Sequence, residues 1–225
     1  MIPDTSSRLL AARASLVLAP VLAAVSVVLQ PDMSGDSAHQ LSVLDTTPAA
    51  ISAAAFLLSQ LPMLVAVLAI GRLLLPAASR LSSWGTGLGV LGCFGHIAFG
   101  GLSLAMVMMA RDPAHRATYA GLLDRVTTSP IMLVSVAGLA GTVIGLLILG
   151  IGIFRTRTGP IWVGPAIRAF LVIEFVGSSL SPHASYLSVL LLGAAFWALV
   201  PSLSQGSTAH DTELVGHDHG LDPVA

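Results

Sequence analysis

The sequence has no lysine, one cysteine and few charges of either sign. Its ten basic residues are all arginine, and only 9% of 225 residues are charged. Soluble domains carry about 25% charged residues, so a soluble fold is excluded: too little polar surface exists to cover the apolar remainder. The formal net charge of -1 leaves no basic field, which sets nucleic acid aside as a partner. A single cysteine, Cys93, excludes an intrachain disulfide and a cysteine metal cluster, and inside an apolar run it reads as a small packing residue.

Several motifs are also missing. The sequence has no GxxxxGKS/T phosphate loop, no HExxH zinc helix and no GxSxG nucleophile turn, so chemistry driven by nucleotide hydrolysis within this chain is not expected. Only one histidine, His96, lies deep in an apolar run, which does not suit a haem held between two facing histidines. No arginine series of the voltage-sensing kind and no filter-like loop is present. No cofactor is expected.

What the sequence does have is apolar length. It is 55% hydrophobic with a mean hydropathy of +0.88. A membrane-spanning helix needs about 20 mostly apolar residues, because the hydrocarbon core is about 30 Å thick and each helical residue rises about 1.5 Å. Six stretches qualify, at about 15–29, 49–71, 85–110, 130–154, 164–180 and 186–203, the first and the last two being short. Their hydrophobicity is continuous rather than alternating. In lipid the backbone must satisfy itself internally, so these are helices and not barrel strands. The expectation is an all-α, polytopic membrane bundle of six transmembrane helices. Residues 1–14 form a cytoplasmic N-terminus, and residues 204–225, rich in Gly, Ser, Asp and His, a mobile cytoplasmic tail. Arg8 and Arg13 before a short apolar run also suit a signal peptide, but residues 31–38 offer no small-residue cleavage site, so a retained helix is expected.

Arginine placement sets the orientation. Arg8, Arg13, Arg72, Arg80, Arg155, Arg157 and Arg168 fall on one side of such a bundle, and Arg111, Arg116 and Arg125 on the other. The excess predicts both ends of the chain inside, in the cytoplasmic membrane. The pairing of Asp45-Thr46-Thr47-Pro48 with Val126-Thr127-Thr128-Ser129-Pro130, each opening an apolar segment, hints at a duplicated helical hairpin.

Ionisable groups inside a membrane are costly, so each is a candidate site residue. His96 and Glu174 are two such groups, with Gln60 at similar depth, and together they form the expected ligand-binding set; His96 and Glu174 are also the only candidates for catalysis. Gly85, Gly89, Gly92, His96 and Gly100 recur at helical spacing, as do Gly138, Gly141, Thr142 and Gly145, and such small faces allow close helix packing. His96 and Glu174 thus read either as a proton-handling or binding pair or as a hydrogen-bonded clamp. His39, His115 and His183, one in each outer loop, and His217 and His219 in the tail have metal-ligand chemistry but no shared short ligand spacing, so no metal site is assigned.

The Ala, Gly, Leu and Val helices joined by arginine-bearing loops resemble, in composition, small multi-helix membrane proteins of bacteria, a likeness that implies no activity. The leading expectation is a membrane binding or assembly subunit, partnered by the bilayer, by other membrane helices or by a second copy, and not an enzyme. The alternatives are a small-solute or proton-coupled transporter using His96 and Glu174, and an intramembrane isomerase or cyclase with Glu174 as acid or base. A topology reporter fused after Leu203 is expected to read cytoplasmic; an external signal would require an odd number of crossings or the reverse orientation.

Overall fold

A computed structural model describes residues 5–130, 132–181 and 183–203, and the histidines of the tail lie outside them. All the regular structure among the described residues is helical. The α-helices are α1 (Thr5–Leu29), α2 (Ser37–Leu44), α3 (Thr47–Leu74), α4 (Ser79–Ala110), α5 (Arg116–Thr127), α6 (Met132–Thr156), α7 (Val163–Phe175) and α8 (His183–Leu199).

Helices α1, α3, α4 and α6 are long and apolar enough to cross a membrane. α4, with 32 residues, is about 48 Å long, well beyond the hydrocarbon thickness. α7 and α8 are apolar but shorter, with 13 and 17 residues, or about 20 and 26 Å. The stretch expected to run to residue 180 stops being α-helical at Phe175. Gly177 is a weak helix former, and Ser178 Oγ donates to the Glu174 carbonyl, so a 3-10 turn, Gly177–Ser179, replaces the next turn. At the other end of the chain, α1 begins at Thr5, so Arg8 and Arg13 lie within its first turns rather than ahead of it.

The long helices and the α7–α8 hairpin form a closed ring in which α1 packs on α3, α3 on α4, α4 on α6, α6 on α7, α7 on α8, and α8 back on α1. Outward-facing residues on this ring are large and apolar: Leu61, Phe94, Leu133, Val172, Leu190 and Trp197 are all exposed. So wide an apolar girdle is suited to lipid and not to water.

The tightest seam is α4 against α6. A Cβ added at Gly95 would lie 2.3 Å from the Gly138 Cα, and one added at Gly145 would lie 2.5 Å from the Gly89 nitrogen. Backbone meets backbone here, at a separation that only glycine permits. Elsewhere polar groups join the seams: Ser52 Oγ donates to the Ser26 carbonyl between α1 and α3 (2.8 Å), and Ser82 Oγ to the Gly71 carbonyl between α3 and α4 (2.6 Å).

The interior divides along the axis. At the end holding Arg72, Arg80, Arg155 and Arg157, Ile70, Leu74, Leu149, Ile153, Ile167 and Leu199 are fully buried in one apolar cluster that fills the ring. The opposite end is covered by α2 and α5. Leu41 and Leu44 of α2 and Ala120 and Leu123 of α5 pack on Ala49 and Ala53 of α3 and on Val107 and Ala110 of α4. Ser37 Oγ donates to Asp124 (2.6 Å), and Arg116 pairs with Asp45 (3.5 Å) and donates to the Ala110 carbonyl (3.0 Å), fastening this cover.

The two Thr-Pro segments do different work. Thr46 caps α3 by accepting from the Ala49 N–H, whereas Thr128 Oγ1 donates to the Asp124 and Arg125 carbonyls and closes α5. The duplicated hairpin gains no structural support from them.

The glycine seam yields a stability prediction. G138A and G145A, each forcing a Cβ into opposing backbone, are expected to destabilise the detergent-solubilised protein by about 1–3 kcal/mol, the usual range for overpacking. G87A, whose Cβ meets nothing within 4 Å, is expected to leave it unchanged or slightly stabilised. Thermal unfolding of the three variants checks this; equal midpoints would contradict the seam.

Candidate functional site

Packing between neighbouring helices fixes which residues share a depth. Gly89 meets Val67 and Gly100 meets Leu57, which sets Gln60 of α3 level with His96 of α4. Gly92 meets Thr142, which brings α6 to the same level, and Gly164 meets Gly150 and Phe154, so that α7 climbs to place Glu174 near Thr142. Four helices therefore present Gln60, His96, Thr142 and Glu174 at one depth, immediately beyond the apolar plug.

These residues line a cavity of about 480 Å³ to which all six helices of the ring contribute, open on the side where Val136, Leu139 and Phe175 are exposed; its size is typical of small-molecule sites. Its floor is Val67 and Leu146, at the edge of the plug, and its walls include Phe56, Phe99, Phe170 and Phe175. A second cavity of about 350 Å³ lies toward the cover formed by α2 and α5. The two have Ser26, Gln30, Phe56, Phe99 and Met132 in common. The Phe56 ring stands edge-on to both His96 (5.8 Å) and Phe99 (6.0 Å), so aromatic side chains form the neck between the chambers.

The polar side chains are held by local bonds that leave acceptors directed at the cavity. His96 Nδ1 is 3.0 Å from the Gly92 carbonyl and 3.1 Å from Thr142 Oγ1. A carbonyl can only accept, so Nδ1 carries the proton, and the Thr142 hydroxyl is free to donate to the Gly138 carbonyl (3.2 Å). In neutral His96, Nε2 is then an acceptor without a protein partner among the described residues. Gln60 spends its amide N–H groups on Ser59 Oγ (3.0 Å) and the Phe56 carbonyl (3.3 Å), leaving its carbonyl oxygen free. Glu174 Oε2 accepts a short hydrogen bond from Ser188 Oγ of α8, and its other carboxylate oxygen has no protein partner among the described residues.

His96 and Glu174 line the same cavity without forming an ion pair; α6 stands between their helices in the ring. Their side-chain hydrogen-bond partners are Thr142 and Ser188. The Ser188 contact is readable only by folding the hairpin: Glu174 and Ser188 each lie seven residues from Ser181, so an antiparallel pair of helices brings them together. Cys93 also lines the cavity.

The loop histidines do not converge. His39, His115 and His183 are exposed, and no group of three or more metal-ligating side chains occurs among the described residues. His39 donates its backbone N–H to Asp36 (2.8 Å) as part of the α2 cap. His115 Nδ1 pairs with Asp112 (2.9 Å), and this contact is the main reason the Asp112 carboxyl titrates below its ordinary value. His217 and His219 lie outside the described residues.

No protein-family model, curated protein or solved structure matches this chain. The reading of the site therefore rests on its own geometry.

That geometry fixes the histidine tautomer. Nitrogen-15 NMR of histidine-labelled protein, with H96Q to assign the resonance, is expected to show neutral His96 protonated at Nδ1 and bare at Nε2. A dominant Nε2–H form would contradict the bond to Gly92.

Proposed function

We propose that this chain is a six-pass protein of the cytoplasmic membrane that carries a small, largely apolar solute, with the cavity around Gln60, His96 and Glu174 as its binding site. The observation that carries the reading is the division of the interior. Beyond mid-depth lies a chamber with unpaired acceptors; beneath it the ring is sealed by aliphatic side chains. A carrier with one gate shut presents this profile, since its site must be reachable from one side at a time.

Orientation follows the arginines. The plug end holds Arg72, Arg80, Arg155 and Arg157 and faces the cytoplasm; the cover of α2 and α5 faces outward. α7 and α8 serve as the fifth and sixth crossings, and local thinning of the bilayer accommodates their shortness.

Two other readings draw less support. An assembly subunit would use its small-residue faces on a partner, but Gly89, Gly92, Gly95, Gly138, Gly141 and Gly145 are consumed within the chain by the α4–α6 seam. An isomerase or cyclase using Glu174 would want a second proton-active group touching it; Glu174 touches Ser188 and not His96.

A single cysteine at Ser135, on the chamber wall, reports on the chamber once Cys93, which is buried, is replaced by alanine. In nanodisc-reconstituted protein S135C is expected to react with N-ethylmaleimide, and L139W, which places an indole in the chamber wall, is expected to slow the reaction several-fold. An inert S135C, or equal rates in both proteins, would contradict an open chamber.

A further inference from the structure

The chamber's polar groups are complementary to one kind of head group. Gln60 Oε1, His96 Nε2 and one Glu174 oxygen all lack protein partners among the described residues, and in the neutral imidazole state all three are acceptors. Among the described residues, no arginine lines the chamber. Glu174 has only the Ser188 hydroxyl to stabilise its charge, whereas a carboxylate at this depth ordinarily requires a cation or a proton. Phe56, Phe99, Phe170 and Phe175 supply aromatic wall to the same space, and aromatic faces attract cations while also burying apolar groups.

Resting on the carrier reading above, we propose that the solute is a protonated lipophilic amine whose ammonium group is held by the Glu174 carboxylate, with the phenylalanines taking its apolar portion. An ammonium offers donors and positive charge together, which a carboxylate beside open acceptors matches; Gln30 and Ser135, also on the wall, are uncharged and give Glu174 no counter-charge. An anion would meet Glu174 without any balancing arginine. A neutral alcohol satisfies one acceptor and leaves the carboxylate without a counter-charge.

Three probes with one apolar body separate these possibilities: 4-phenylbutylamine, 4-phenylbutanol and 4-phenylbutyrate, at neutral pH, each tested for slowing N-ethylmaleimide reaction at S135C in the full chain, carrying C93A, in nanodiscs. The amine is expected to protect at concentrations about tenfold or more below the alcohol, the scale of a hydrogen bond to a charged partner, and the butyrate is expected not to protect. In E174Q, which keeps an acceptor for Ser188, the advantage of the amine over the alcohol is expected to vanish. Equal protection by amine and alcohol with Glu174 in place, or better protection by the butyrate, overturns the amine assignment and leaves the binding chamber standing. No protection by any of the three, with S135C reactive, overturns both. The comparison with Glu174 in place decides the matter even where E174Q fails to fold.

Discussion

Direct backbone contact between α4 and α6 is the constraint on which the remaining architecture depends. Lipid tails are as apolar as leucine, so helices in a bilayer gain little from merely hiding apolar side chains from one another. Close van der Waals approach has to supply the difference. Gly89, Gly92 and Gly95 meet Gly145, Gly141 and Gly138 along several turns, removing the side-chain layer that would hold the axes apart, and Gly85 makes room for the Leu149 side chain. That approach brings Thr142 against His96 and fixes the direction of the imidazole, so the same contact that joins the helices also sets the chemistry of the chamber wall. It also fixes the register of α6, from which Gly150 and Gly164 position α7 and hence Glu174.

The second organising feature is asymmetry along the bundle axis. Apolar side chains from α1, α3, α6, α7 and α8 meet in the plug cluster, and Val90 of α4 packs against it. Aromatic and small polar residues dominate the level above, where α6 and α7 no longer fill the ring and a chamber remains. An empty apolar space is costly for the atoms that line it, which lose their dispersion partners. Polar groups held by Gly92, Ser59 and Ser188, rather than by each other, keep their orientation whether or not the chamber is occupied. A pocket of this kind would meet the proposed solute already ordered, which lowers the entropy lost on binding.

Much of this was legible in the residues. Continuous apolar runs declared a helical membrane protein, and glycine spacing identified the two faces that meet. Position along each run placed Gln60, His96 and Glu174 at a common depth. Local partners were harder to read, because they depend on which helices adjoin. Thr142 stood out only as part of a small face, and Ser188 needed the hairpin to be folded before it became a neighbour of Glu174. The cover formed by α2 and α5 was missed. α2 has only eight residues, and α5 is too polar to register as a membrane segment, so both read as loop until Leu41, Leu44, Ala120 and Leu123 are seen sharing a core. Shortening of α7 at Phe175 was missed because hydropathy alone does not register the competition of a serine hydroxyl with the helix backbone. The loop histidines attracted interest through their chemistry, but among the described residues they are exposed and form no ligand group.

The division of the interior into a reachable chamber and a sealed plug is tested most directly by cysteine accessibility along α6, in a background with Cys93 replaced by alanine. Single cysteines at Ser135, Leu139 and Leu146 follow the chamber wall, and those at Leu149 and Ile153 enter the plug. Reaction with a small neutral maleimide should be measurable at the first two positions, weaken at Leu146 and cease at the last two. Labelling that continues undiminished through Ile153 would reveal an open path instead of a plug, and uniform inertness from Ser135 onward would mean that no chamber exists.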